Sequence, residues 1–288
     1  MIEERILDEM LRAAPVLLLI AVRALAMIET APLLSSDAVP HTAKIALAGF
    51  AAFAVLPLGA PEGSSLPAVR GWALALEGGE AFDLDFAFLL IGEALIGIII
   101  GFFLTLIFAA FSTAGQFFSL QMGFGASETF DPLSQIENPL MGQYLNLVAM
   151  LVFLSVEGFQ KLFLTGFQRS LQSISVISLI EGREVVIAMV LAGLSRLFMD
   201  AIIIAMPILG TLFLISLSTG LISKAAPQIN ILSEGFPISI TVAFILIFAT
   251  LPFMVEAFSR VVDTAFAVIE NLYIQIGQQI GLGSGGNV

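Results

Sequence analysis

Among the charged side chains that stand inside long apolar runs are Glu93, Glu157, Arg196, Asp200, Glu256 and Arg260. At the centre of a bilayer helix most charged types cost about 2.5–3.5 kcal/mol on insertion scales, so each is expected to face protein, water or an opposite charge. Arg196 with Asp200, and Glu256 with Arg260, lie four residues apart and can pair along one helix face. Glu93 and Glu157 read as carboxylates without a local basic partner. A secondary transporter would use such groups as proton or ion sites; an assembly subunit would bury them against neighbouring chains. On the second reading Glu93→Gln keeps most of the function, because the amide preserves shape and hydrogen bonding. Glu93, Arg196 and Asp200 are the candidate buried charges.

Other chemistries lack their reagents. The chain has no cysteine and a single histidine, His41, which removes disulfides, thiolate metal sites and most histidine-based catalysis. His41 lies in a V-P-H-T stretch with no G-x-S-x-G element anywhere, and Asp200 and Asp263 lack matching contexts, so an intramembrane protease has no constellation to use. No catalytic, metal or cofactor site is expected. The net charge of −12 draws on an acidic start (Glu3, Glu4, Asp8, Glu9) and on Glu77, Glu80, Asp83 and Asp85, which gives nucleic-acid binding no support.

The elements that must position the charges are membrane helices. Hydrophobic residues make up 58% and charged residues 12%, with mean hydropathy +1.03, whereas soluble domains carry roughly a quarter charged residues. Apolar runs cover about Leu11–Leu34, Ala43–Ala60, Phe86–Ser112, Leu140–Leu164, Val185–Ile222 and Phe236–Ala267, and most reach the ~20 residues that span a bilayer core. The expected fold is all-α: a polytopic integral membrane protein of about six long apolar helical segments, with broken helices and hairpins. The first run carries Arg23 and Glu29 and lacks a basic start and a cleavage site, so it is expected to stay in the mature chain. As one helix Val185–Ile222 would be ~57 Å long, so it must tilt, project beyond the membrane or break near Pro207. Collecting Arg5, Arg12, Arg70, Arg169, Arg183 and Arg260 on one side, against Lys44 and Lys224, places both termini in the cytoplasm. The Gly97–Gly101 G-x-x-x-G spacing supports close helix contact. No internal repeat relates two halves as a transporter of paired broken helices would require, so residues 1–288 read as one unit, with a disordered tail at 281–288.

Two segments interrupt the helical pattern. Gly115–Pro139 mixes Gly123 and Gly125 with Phe117, Phe118, Met122, Phe124 and Phe130 and has no basic residue. Such a segment is covered by protein or fills a hole; a re-entrant turn packed on its neighbours and a flexible stopper in a channel both fit. Lys224–Pro237, K-A-A-P-Q-I-N-I-L-S-E-G-F-P, sets Pro227, Gln228, Gly235, Phe236 and Pro237 between two apolar runs and reads as a hinge broken at both ends.

The motifs R-A-L-A-M-I-x-T-A-P (Arg23–Pro32), V-P (Val39–Pro40) with Lys44, L-I-G-I-I-I-G-F (Leu95–Phe102), T-A-G-Q-F-F-S-L-Q-M-G (Thr113–Gly123) with Phe130-Asp131-Pro132, M-P-I-L (Met206–Leu209) and A-P-Q…G-F-P occur in that order. From about Val16 to about Glu270 the chain thereby resembles the FliR/SctT family of type III secretion export-gate subunits, its flagellar branch most. The resemblance implies a non-enzymatic subunit of the inner-membrane gate in the bacterial flagellar basal body, through which unfolded flagellar proteins are exported. It implies FliP-like and FliQ-like partners, an architecture like a fused FliP–FliQ pair, FlhB-like and FlhA-like neighbours, and hairpins that do not all cross the membrane. It also implies that the L-Q-M-G loop, here Gln121, Met122, Gly123, Phe124, Gly125, Phe130 and Asp131, is part of the pore plug. A virulence-type gate subunit and a polytopic secondary transporter are the alternatives. The chain departs from the family at Glu128 and Glu234, and at Glu157-Gly158, where an Asn-Gly pair is frequent.

Overall fold

A computed structural model of the chain describes residues 2–36, 38–56, 84–123, 140–225 and 231–283. Every regular element among them is a helix. The hairpin of α1 (Ile2–Thr30) and α2 (His41–Val55) is followed by α3 (Leu84–Met122) and α4 (Leu140–Ser155). Then α5 (Gly158–Lys161) passes directly into a π-helical turn (Leu162–Gln168) and α6 (Arg169–Ser173). The chain continues through α7 (Val176–Glu181), α8 (Arg183–Ala225) and α9 (Ile231–Gly283).

Each of the six expected apolar runs overlaps a helix, but among the described residues three helices, α3, α8 and most of α9, are long and apolar enough to cross a bilayer; α4 joined to α5–α6 as one broken span would make a fourth. At 15 residues, α2 is ~22 Å long and falls short of the ~30 Å core. The first turns of α1 carry Glu3, Glu4, Arg5, Asp8, Glu9 and Arg12.

The chain divides into two compact units. The first is Met1–Thr105, Glu157–Ala192 and Thr264–Val288; the second is Leu106–Val156 and Gly193–Asp263.

The first unit is organised around the meeting of α1 and α3. Glu93, Gly97, Gly101 and Thr105 recur every four residues on α3 and face α1. A Cβ on Gly97 would overlap the Arg23 carbonyl, and one on Gly101 the Thr30 hydroxyl, so the two backbones approach where no larger residue fits. The Thr105 hydroxyl donates to the Thr30 carbonyl at 2.8 Å. Residue numbers rise together along this contact, so α1 and α3 run parallel. α2 folds back along α1 and buries the small Ala48 and Ala52. At the α1–α2 turn the buried Lys44 Nζ donates to Glu29 Oε2 at 3.0 Å and to the Ser35 carbonyl at 3.1 Å, while His41 Nδ1 stands 3.0 Å from Glu29 Oε1. The Lys44 hydrogen bond, then that of His41, holds the Glu29 carboxyl below its usual range.

In the second unit Phe108 meets Phe153 and Phe258 edge-on at centroid distances of 5.5 and 5.7 Å, and Phe111 meets Phe258 at 4.5 Å. Such T-shaped contacts suit the ring quadrupoles. Ala114, Phe118 and Met122 continue a fully buried stripe at four-residue spacing to the end of α3.

Two sequence expectations change, and one of the alternatives left open closes. The segment read as loop from Gly115 is helical through Met122, because that buried stripe rewards continued helix. The break near Pro207 is absent: α8 runs through it, as α9 runs through Pro237 and Pro252. The stop at Gly235-Phe236-Pro237 is likewise absent, with all three residues inside α9. A proline removes one helical hydrogen bond, but unwinding a turn in apolar surroundings would strand several backbone groups, so the helix persists. Thr211 and Thr241 donate their hydroxyls at 2.9 and 2.8 Å to the carbonyls of Pro207 and Pro237, one turn earlier. Pro227 and Gln228, the other half of that hinge, lie outside the described residues.

Candidate functional site

The most enclosed polar cluster lies in the first unit and is built on Arg23. Arg23 heads the largest fully buried side chains, and Glu93 has no exposed surface either. Arg23 Nε donates to Glu93 Oε2 at 2.5 Å, Nη1 to Ser170 Oγ at 3.1 Å and Nη2 to the Ile174 carbonyl at 3.2 Å. Ser170 in turn donates to the Phe167 carbonyl at 2.6 Å. On the same segment the Gly166 carbonyl accepts the Tyr273 hydroxyl at 2.8 Å, and Arg169 pairs with Glu270. The cluster thus ties α1, α3, the segment from α5 to α6, and α9.

Such a pair is tolerated in a dry interior only when both ions are compensated and further hydrogen bonded, as here. It gives Glu93 a partner within its own chain, which the local sequence did not supply. Glu93 has no exposed surface and is clamped to a guanidinium, an arrangement that joins α1 to α3. The sequence did hold one clue: an arginine in the middle of the first apolar run, Arg23, and the one glutamate of the third, Glu93, are complementary. Ser170 and Tyr273 carry no comparable signal, being ordinary hydroxyls until the fold aims them.

The remaining charges are distributed differently. Arg196 Nε stands 3.6 Å from Asp200 Oδ2, and Arg260 Nη2 3.2 Å from Glu256 Oε1, so both expected pairs form. Arg196 is exposed and Asp200 partly buried, which leaves Glu93 as the enclosed member of the three candidate buried charges. Glu157 adopts φ 57° and ψ 35° at the start of α5, a left-handed conformation that asparagine and glycine enter more easily. Lys161 stands one turn on from it, a partner position that the sequence reading overlooked.

Of the plug candidates, Gln121, Met122 and Gly123 are described. Met122 is fully buried, Gly123 ends α3 with φ 89°, and Gln121 Nε2 lies 3.5 Å from Ser216 Oγ of α8. Phe124, Gly125, Phe130 and Asp131 lie outside the described residues. Among the described residues no group of three or more histidines or acids is placed to hold a metal ion.

Long apolar helices and a buried ion pair that ties them define an integral membrane protein built for helix association. The chain belongs to the bacterial export proteins, family 1, which match residues 14–265. It is 30% identical to the flagellar biosynthetic protein FliR of Escherichia coli over 254 residues, 87% of this chain and 91% of that protein. The corresponding FliR of Bacillus subtilis is 27% identical over 91% of this chain and 96% of its own length. The surface presentation of antigens protein SpaR of Shigella flexneri is 29% identical over 56% of this chain and 61% of its own.

Proposed function

We propose that the chain is a subunit of the flagellar type III protein export gate, a non-enzymatic channel component in the bacterial inner membrane at the flagellar basal body. The observation that carries this reading is the family match over residues 14–265, together with the near full-length likeness to proteins named for flagellar biosynthesis. Its partners on this reading are FliP-like and FliQ-like gate subunits, with FlhB-like and FlhA-like export proteins and unfolded flagellar substrates, and the chain as one unit resembles a fused FliP–FliQ pair. The exposed apolar faces of α8 and α9, with Phe198, Met206, Phe213, Phe248 and Phe253 outward, suit burial against such subunits and lipid. Co-purification from membranes with FliP-like and FliQ-like proteins tests it; a chain recovered alone, from cells making those proteins, would contradict it.

Within this reading Gln121–Asp131 closes the pore. What supports this is that Met122 is fully buried at the end of α3 and that Gly123, with φ 89°, ends the helix there. Removal of Gly123–Ser127 is expected to leave an assembled gate that conducts small ions. Planar-bilayer conductance no higher than that of the native complex would leave a packed turn in place of a plug. Pro227, Gln228, Gly235, Phe236 and Pro237 serve assembly on this reading. The likeness to SpaR keeps a virulence-type gate as a second reading; export of flagellar hook and filament subunits by cells relying on this chain separates the two.

A further inference from the structure

Gly158, Leu162, Gly166 and Ser170 are all buried and follow at intervals of four. An α-helix turns about 100° per residue, so each four-residue step overshoots a full turn by ~40°, and three steps would carry Ser170 ~120° away from the face that holds Gly158. The π-helical turn removes this drift. Its five-residue bonds, such as Arg169 N–H to the Leu164 carbonyl, accommodate one extra residue and take back about 100°. The correction delivers Ser170 Oγ to Arg23 and leaves the Gly166 backbone carbonyl for Tyr273. Gly166 itself packs so closely that a Cβ there would lie 3.1 Å from Ile100 Cγ2.

We propose that Leu162–Gln168 is a one-residue register switch, latched in its wide form by Tyr273 on Gly166 and by Arg23 on Ser170. In the narrow, regular α form the two sides of the turn would rotate against each other by about one residue, ~100°, and Ser170 would leave Arg23. The latch bonds come from α1 and α9, two elements remote in sequence, so a displacement of either helix is transmitted to the turn. The inference stands on the first unit alone and does not require the gate assignment.

The absence of cysteine permits a direct test by paired substitution in membranes. With Ile100→Cys, an oxidant is expected to cross-link Gly166→Cys and not Thr165→Cys. Adding Tyr273→Phe with Ser170→Ala should move cross-linking from position 166 to position 165. An unchanged pattern would overturn the latch. Because the paired variant is vulnerable to misfolding, a second arm deletes Thr165, which removes the extra residue and lets a regular α-helix keep Ser170 at Arg23. That deletion should preserve the membrane level of the protein, whereas deletion of Ile187 in the regular α8 should not. Equal loss in both deletions would show that no residue is spare in the turn and would overturn the switch.

Discussion

Arg23 of α1 and Glu93 of α3 are separated by 70 residues and meet at 2.5 Å with neither side chain exposed. Glu93→Gln, harmless if Glu93 were a lone packing group, now strands a buried guanidinium. Breaking one side of such a pair costs about 3–5 kcal/mol, while replacing both with apolar residues of similar volume is near neutral. Glu93→Gln and Arg23→Met are therefore each expected to lower the membrane level of the protein strongly, and Arg23→Met with Glu93→Leu to restore much of it. Immunoblots of membrane fractions check this; additive losses in the double variant would deny that the two residues act as a pair.

The close approach of α1 and α3 leaves no room at Gly97 or Gly101. Leucine at either position should separate the helices and make the α1–α3 region sensitive to limited proteolysis in detergent. Leucine at Gly210, where nothing lies within 4 Å of a built Cβ, is the matched control and should behave as the native protein.

Glu157 holds a left-handed conformation that costs an ordinary side chain roughly 1–2 kcal/mol. Glu157→Gly or Glu157→Asn should raise the thermal aggregation midpoint of the solubilised protein, and Glu157→Val should lower it. A midpoint that follows charge alone, with glycine and valine equal, would place the effect elsewhere.

At the α1–α2 turn the Glu29 carboxyl titrates below its ordinary value of 4.5, chiefly through Lys44. A depressed folded value means that the stabilisation is fully present above pH 4.5 and is lost as pH falls through the lower folded value. Glu29→Gln should then weaken the protein at neutral pH and flatten the acid limb of its stability profile. An unaltered acid limb would assign that limb to other carboxylates.

Met122 is enclosed at the end of α3, so Met122→Ala should cost about 2–5 kcal/mol through the cavity left behind. Lower yield, in place of ion leakage from an intact gate, is the expected result. Substitution of Phe124 is the cleaner probe of closure.

The sequence announced the helices and the membrane because both depend on sums over long windows: the apolar runs overlap every long helix, and the i,i+4 charge pairs formed as spaced. It was silent where contacts are long-range. Glu93 looked unpartnered because Arg23 lies far away in the chain, and Ser170 and Tyr273 became functional only through the geometry of the π-helical turn. Proline misled in the opposite sense. Pro237 read as a break, and Pro207 as one of three ways to fit a long run, on the experience of helices in water, where a freed carbonyl finds solvent. In an apolar setting the helix is retained; the hydroxyls of Thr211 and Thr241 go to the carbonyls of Pro207 and Pro237 themselves, not to the carbonyls one turn earlier that each proline leaves free.

The parallel course of α1 and α3 has a consequence for sidedness. A count of apolar segments converts to inside and outside only if successive crossings alternate in heading, and these two long helices share one heading. Between them α2 takes the opposite heading and, at 15 residues, is too short for a full passage of the bilayer. The side assigned to everything after α2 therefore turns on whether this short helix counts as a crossing, and with it the placing of both termini in the cytoplasm.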